Sequence, residues 1–184
     1  MNNEKVMASA VALAGIGVPG GAAEVVRLRG RYSVEFYDRS GELKWSQEIQ
    51  NLVTTVGKND LLDNQFQGSS YTAAWYLGLV DGASAPTFAA GDSAAAHAGW
   101  SEFTGYDNAS RPAPAFAAAS AGSKSTSQTD FNISADGTVA GCFLINDNTK
   151  AGTTGVLYSC GAFSGGDQPV TSGGTLKVTY TAQA

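Results

Sequence analysis

Short segments of alternating polarity, closed by Gly-rich or Asx turns, run through most of this chain and restrict it to antiparallel β structure. Residues 25–37, VVRLRGRYSVEFY, put Val25, Arg27, Arg29, Arg31 and Ser33 on one side. Val26, Leu28, Tyr32, Val34 and Phe36 fall on the other. A period of two marks a half-buried strand, because successive side chains point to opposite faces. Asp38-Arg39-Ser40-Gly41 is a turn sequence, and residues 42–50 return as a second strand, so the two predict a hairpin. The last third repeats the pattern over 126–133, 138–145, 155–163 and 174–182. Asp136-Gly137, Asn146-Asp147-Asn148, Gly165-Gly166-Asp167 and Ser172-Gly173-Gly174 separate these segments.

Between these regions, Thr54 or Thr55 is positioned to cap a helix reaching about Gln67, with Val56, Leu61, Leu62 and Phe66 as its apolar stripe. Residues 71–80, YTAAWYLGLV, are apolar on both faces and predict a central strand. A helical turn after Asp92 and a short strand over 100–106 follow, and Pro112 and Pro114 fix the path of a long small-residue loop. The expected fold is mainly β: a β-sandwich or jelly-roll-like body over 24–184 with about eight strands and one short helix, preceded by an extended N-terminal arm over 1–23. Composition agrees with a loop-rich β protein. Of 184 residues 23 are Gly, and only 15% are charged. A net charge of -5 argues against a general nucleic-acid binder, whose affinity rests on neutralising phosphates.

Candidate chemistry is sparse. Asp92, Ser93 and His97 are the residue types of a hydrolase triad. No G-x-S-x-G elbow presents the serine, however, and the sole histidine lies in the same Ala-rich stretch, so a structural role is expected. Glu102 with Asp107 or Asp81 offers a carboxylate pair of the kind that cleaves glycosides, beside Trp100 and Tyr106. Acids that flank a strand and two loops more often serve turns and solubility. Asn146, Asp147 and Asn148 provide oxygen ligands but lack the D-x-[DN]-x-[DN]-G spacing of a calcium loop. The reading assigns no catalytic residue, no metal ligand and no cofactor.

Two cysteines, Cys142 and Cys160, lie opposite each other if 138–145 and 155–163 form a hairpin centred near residue 151. The same geometry pairs Ile145 with Leu157. Opposed Cβ atoms are close enough for a disulfide, but its torsions fit a ladder poorly, and buried free thiols are the expectation. Arg27, Arg29 and Arg31 form a basic row on one strand face. Like charges there repel, so an acidic partner surface relieves them; a solvated face is the alternative. Residues 6–18, VMASAVALAGIGV, are apolar but too short to span a bilayer; they resemble a weak secretory signal, which is the alternative, but their polar start carries both Glu4 and Lys5 and is not clearly basic. The expectation is an arm whose Val11, Leu13, Ile16 and Val18 order against a larger partner.

Three stretches also resemble a family. NLVTTVGKNDLLDNQF (51–66), WYLGLVDGASAPTFAAGDSAAAHAGWSEFTGY (75–106) and SGGTLKVTY (172–180) are similar to blocks in small structural proteins of tailed bacteriophages, and the resemblance covers roughly residues 30–184. It implies a head decoration, or cement, protein on the capsid exterior of the virion. Such a protein is no enzyme. Its partners would be the major capsid protein and sister copies in a dimer or trimer, with no membrane and no sequence-specific nucleic acid. Within that reading Val11, Leu13, Ile16, Val18, Arg27, Arg29 and Arg31 touch capsid or a sister subunit. The alternatives are a tail-fibre or receptor-binding β module that recognises host carbohydrate through Trp100, Tyr106 and nearby acids, a secreted hydrolase, and a tail-tube or connector protein.

Overall fold

A computed structural model describes residues 27–66 and 74–184. The arm residues Val11, Leu13, Ile16 and Val18 lie outside the described residues, as do residues 67–73. Among the described residues the chain forms one helix and eleven strands in two antiparallel sheets.

The first sheet holds β1 (Arg29–Tyr37), β2 (Leu43–Gln50), β6 (Ser123–Ser125), β7 (Thr129–Asn132) and β11 (Thr175–Gln183). Its order is β2-β1-β11, and β6 and β7 pair with successive stretches of the free side of β11. The hairpin expected over 25–50 is present. Asp38 closes it by accepting hydrogen bonds from the Ser40 and Glu42 amides at 2.8 and 3.1 Å, and Gly41 takes a positive φ of 82°. The second sheet holds β3 (Leu52–Val53), β4 (Tyr76–Asp81), β5 (Glu102–Phe103), β8 (Gly137–Ile145), β9 (Leu157–Ala162) and β10 (Gln168–Val170). Its order is β3-β9-β8-β4-β5, with β10 also on β8.

The sheets meet through a shared core. Tyr32, Val34, Phe36, Leu176 and Val178 from the first pack on Leu77, Leu79, Val139, Cys142 and Leu144 from the second. A hydrogen bond of 2.6 Å between the Tyr32 hydroxyl and Ser159 Oγ ties one sheet to the other inside that core. The outer face of the second sheet is covered as well: Val80, Ala140, Phe143, Ile145, Leu157 and Cys160 pack with Ala94 and Trp100 from the loop after β4. The strand expected over 71–80 is β4 in its described part, and it is central and double-sided, as its apolar run requires; residues 71–73 lie outside the described residues.

Four expectations are corrected. The helix α1 (Thr55–Phe66) is capped by Thr54, whose Oγ1 accepts the Gly57 amide at 3.1 Å. Of its expected apolar stripe only Val56 packs on the core, whereas Leu61, Leu62 and Phe66 are 36%, 49% and 79% exposed. Gly57 makes the close approach, because a Cβ there would lie 2.5 Å from the Tyr158 carbonyl oxygen, so the helix meets β9 backbone to backbone. No helical turn follows Asp92; Ser93 and Ala96 form a bridge instead. The strand expected over 126–133 is shortened to β7, with Thr126 and Ile133 in isolated bridges to Phe116 and Tyr106, and β6 precedes it.

The fourth correction concerns the cysteines. Ile145 does pair with Leu157, but the register shifts between Leu144 and Ile145, leaving Tyr158 unopposed. Cys142 therefore faces Gly161, and Phe143 faces Cys160. A one-residue slip sends side chains to opposite faces, so Cys142 lies in the intersheet core and Cys160 on the other side of the sheet. Both are buried free thiols. Burial raises both, and Cys160 is pushed up to about 12 by burial and by the Asp92 charge. A thiol raised in the folded chain keeps its proton while the unfolded chain loses it, so this contribution is intact below the ordinary thiol value of 9.0 and declines as pH rises toward about 12. We expect no alkylation by iodoacetamide in the native state, alkylation of both thiols in urea, and a lower urea midpoint at pH ~10.5 than at pH ~7.5. Rapid native labelling of either thiol contradicts this packing.

Candidate functional site

The residues with chemical potential converge on the loops that cover β8. Glu102 on β5 and Arg111 in the following loop form an ion pair at 2.8 Å, with only 5% and 3% of their side chains exposed. The Glu102 carboxylate accepts from Arg111 Nε at 3.0 Å, the Tyr106 hydroxyl at 3.2 Å and the Ala151 amide at 2.6 Å. Arg111 also donates to the carbonyls of Asp147 and Gly152 at 3.0 and 3.2 Å, and its guanidinium lies 5.2 Å from the Phe143 ring centre. Four donors thus meet one carboxylate, about its full capacity. The pair clamps the 107–114 loop to the 146–156 loop and offers no general acid or base. A cavity of about 220 Å³ beside it is lined by His97, Trp100, Phe143 and Leu157.

The triad residues do not assemble. Asp92 is buried and accepts from the Trp100 indole and the Ala89 amide, both at 3.0 Å. The His97 ring stacks on Trp100 with centroids 4.0 Å apart, and its Nδ1 lies 3.0 Å from the Trp100 carbonyl. Among the described residues no hydrogen bond joins His97 to Ser93 or Asp92. A sugar platform at Trp100 and Tyr106 is also corrected, since these rings are only 9% and 2% exposed. Burial, then the neighbouring Glu102, raises the Tyr106 phenol well above its usual range. The Asn146–Asn148 oxygens hold backbone: Asn146 Oδ1 accepts the Val156 amide at 2.6 Å, and Asp147 accepts the Thr149 amide at 2.6 Å and the Thr154 hydroxyl. Among the described residues no three His, Cys, Asp or Glu side chains group as a metal site requires, and no helix is long and apolar enough to cross a membrane.

Among the described residues two surfaces are largely uncovered. Arg27, Arg29 and Arg31 are exposed, and the two on β1 lie on the outer face of the first sheet, where Arg29 is opposite Gln183 and Arg31 is opposite Thr181 and Gln50. Among the described residues only Arg31 finds an acid, Glu48 at 3.6 Å; both are largely solvated, so the pair contributes little. The second surface is an apolar groove of about 620 Å³ at one end of the sandwich. Tyr180 and Ala182 of β11, Leu144 of β8 and Tyr158 of β9 line it, with α1 as one wall and Pro114 and Phe116 as the other. Leu62 and Phe66 stand exposed one face round the same helix.

Sequence reasoning missed the clamp and the groove. Arg111 had one visible signal: it is the single charge between Asp107 and Lys124, in a stretch otherwise of small, apolar and polar residues. The groove had none, because its walls come from segments far apart in the chain. No protein-family model and no curated protein matches the sequence.

Proposed function

We propose that this chain is a structural protein of a tailed-phage virion, a decoration protein that stabilises the head from outside by bridging capsid subunits. One observation supports the reading above others. Glu102, Arg111 and Asp92 are buried and engaged in holding loops, whereas a basic row and an apolar groove are left open as contact surfaces. A non-catalytic protein with a flat polar sheet face and unpartnered apolar side chains fits a role in which many weak contacts repeat over a lattice. The Arg27/Arg29/Arg31 row and the apolar N-terminal segment are the proposed attachment elements, and their complement is acidic capsid surface.

Reversing the row in the triple variant R27E/R29E/R31E is expected to lower occupancy on purified heads at least about tenfold, with the thermal midpoint nearly unchanged because all three side chains are exposed. Removing residues 2–20 is expected to leave a folded body that no longer decorates heads. Both are read by co-sedimentation with heads lacking the protein. Undiminished occupancy in both variants rules out this mode of attachment.

A further inference from the structure

The groove opens between the two sheets and is walled by Leu61, Trp75, Phe116, Leu144, Tyr158 and Ala182. A cleft of this size lined mainly by apolar side chains is a binding feature rather than a packing defect. The chain enters the fold at the same end. Gly30 is paired with Ala182, a wall of the groove, and Ala182 is paired on its other side with Lys124, which also lines it. Gly30 is buried beside Tyr32, and a Cβ there would lie 2.5 Å from the hydroxyl of Tyr180, another residue of the groove, so β1 begins at the groove's edge.

What precedes Arg27 is chemically matched to the groove. Residues 6–23 carry no charge, and residues 6–18 include Val6, Met7, Val11, Leu13, Ile16 and Val18. Pro19-Gly20-Gly21 is a chain-reversing sequence between that segment and β1. The intervening residues 19–26 reach at most roughly 30 Å when extended, which confines the segment to the neighbourhood of its own groove. A tether that short gives a high effective concentration, so the segment's own chain competes well against a second copy. Left in water, thirteen residues of this composition would be an aggregation hazard for a free subunit.

We infer that in the free protein the groove between α1, β9 and β11 is the seat of residues 6–18 of the same chain. Seating covers the apolar walls and stores the segment until a larger partner competes for it. The inference concerns the unattached chain and stands or falls separately from the capsid reading.

The test uses the full-length free protein with benzoylphenylalanine replacing Leu61 or, separately, Gln65, both exposed helix positions that tolerate change. Equal amounts of unlabelled and nitrogen-15-labelled chains are mixed, irradiated at low micromolar concentration and digested for mass spectrometry. The expected result is cross-linking from both positions to peptides within residues 6–18, in products that are wholly light or wholly heavy. Amide exchange in residues 6–18 is expected to be slowed about tenfold or more against a free peptide of that sequence. Mixed-isotope products would assign the groove to a second copy's segment and overturn the inference. Cross-links that avoid residues 6–18, or exchange as fast as in the peptide, overturn it equally.

Discussion

Arg111→Ala is expected to be among the most damaging single changes, lowering stability by about 3–5 kcal/mol. The loss does not measure the strength of the ion pair. It arises because the Glu102 carboxylate stays 95% buried after its counter-charge and two of its four donors are gone. At about 2–4 °C per kcal/mol for a chain of this length, the thermal midpoint should fall by roughly 10 °C. The 146–156 loop should also loosen, since Arg111 holds the Asp147 and Gly152 carbonyls. A double variant, Glu102→Gln with Arg111→Met, removes the stranded charge and should recover a substantial part of the loss. Differential scanning calorimetry of the three variants checks this; a change below about 1 kcal/mol for Arg111→Ala contradicts the clamp.

Gly141→Val is the second large effect. Gly141 sits on β8 opposite Ala162 of β9 and Val80 of β4, in the middle of the second sheet. A Cβ there would overlap the Gly161 carbonyl oxygen and lie 2.9 Å from the Gly161 carbonyl carbon and 3.0 Å from the Ala162 Cα. These are backbone atoms of a paired strand, so no side chain can swing aside, and relief requires prying β9 from β8. The expected cost exceeds about 3 kcal/mol, the upper end for overpacking. The readout is the urea midpoint, together with new reactivity of Cys160 on the displaced strand. A variant with native stability and unreactive thiols would place β9 elsewhere.

These two sites show what the sequence makes visible and what it hides. The β1–β2 hairpin is legible because alternation and the Asp38–Gly41 turn agree on it. The existence of α1 is legible from its Thr cap, but not the face it buries, because it packs through Gly57 onto backbone and leaves Leu62 and Phe66 in solvent. The β8–β9 hairpin is legible down to the Ile145–Leu157 pair. The bulge at Tyr158, which reverses the relation of Cys142 to Cys160, carries no local sequence mark. For the candidate site, the lone charge of Arg111 hinted at burial, but its partners, Glu102 on β5, the Phe143 ring on β8 and the Asp147 and Gly152 carbonyls, come from separate segments of the chain. The exposed basic row was readable because a strand's outer face depends only on alternation. The groove depends on where two sheets end, which only the assembled fold determines.

The account's central claim is that this chain performs no reaction and serves as repeated adhesive surface on a phage head. Its most direct test is a count of copies per virion, by densitometry and isotope-dilution mass spectrometry, with antibody labelling in negative stain, on particles produced from the genome that encodes the chain. Hundreds of copies per particle, with label spread over the head, is the expected result for a lattice protein. A handful of copies confined to the tail, or intact particles that contain none, would contradict it.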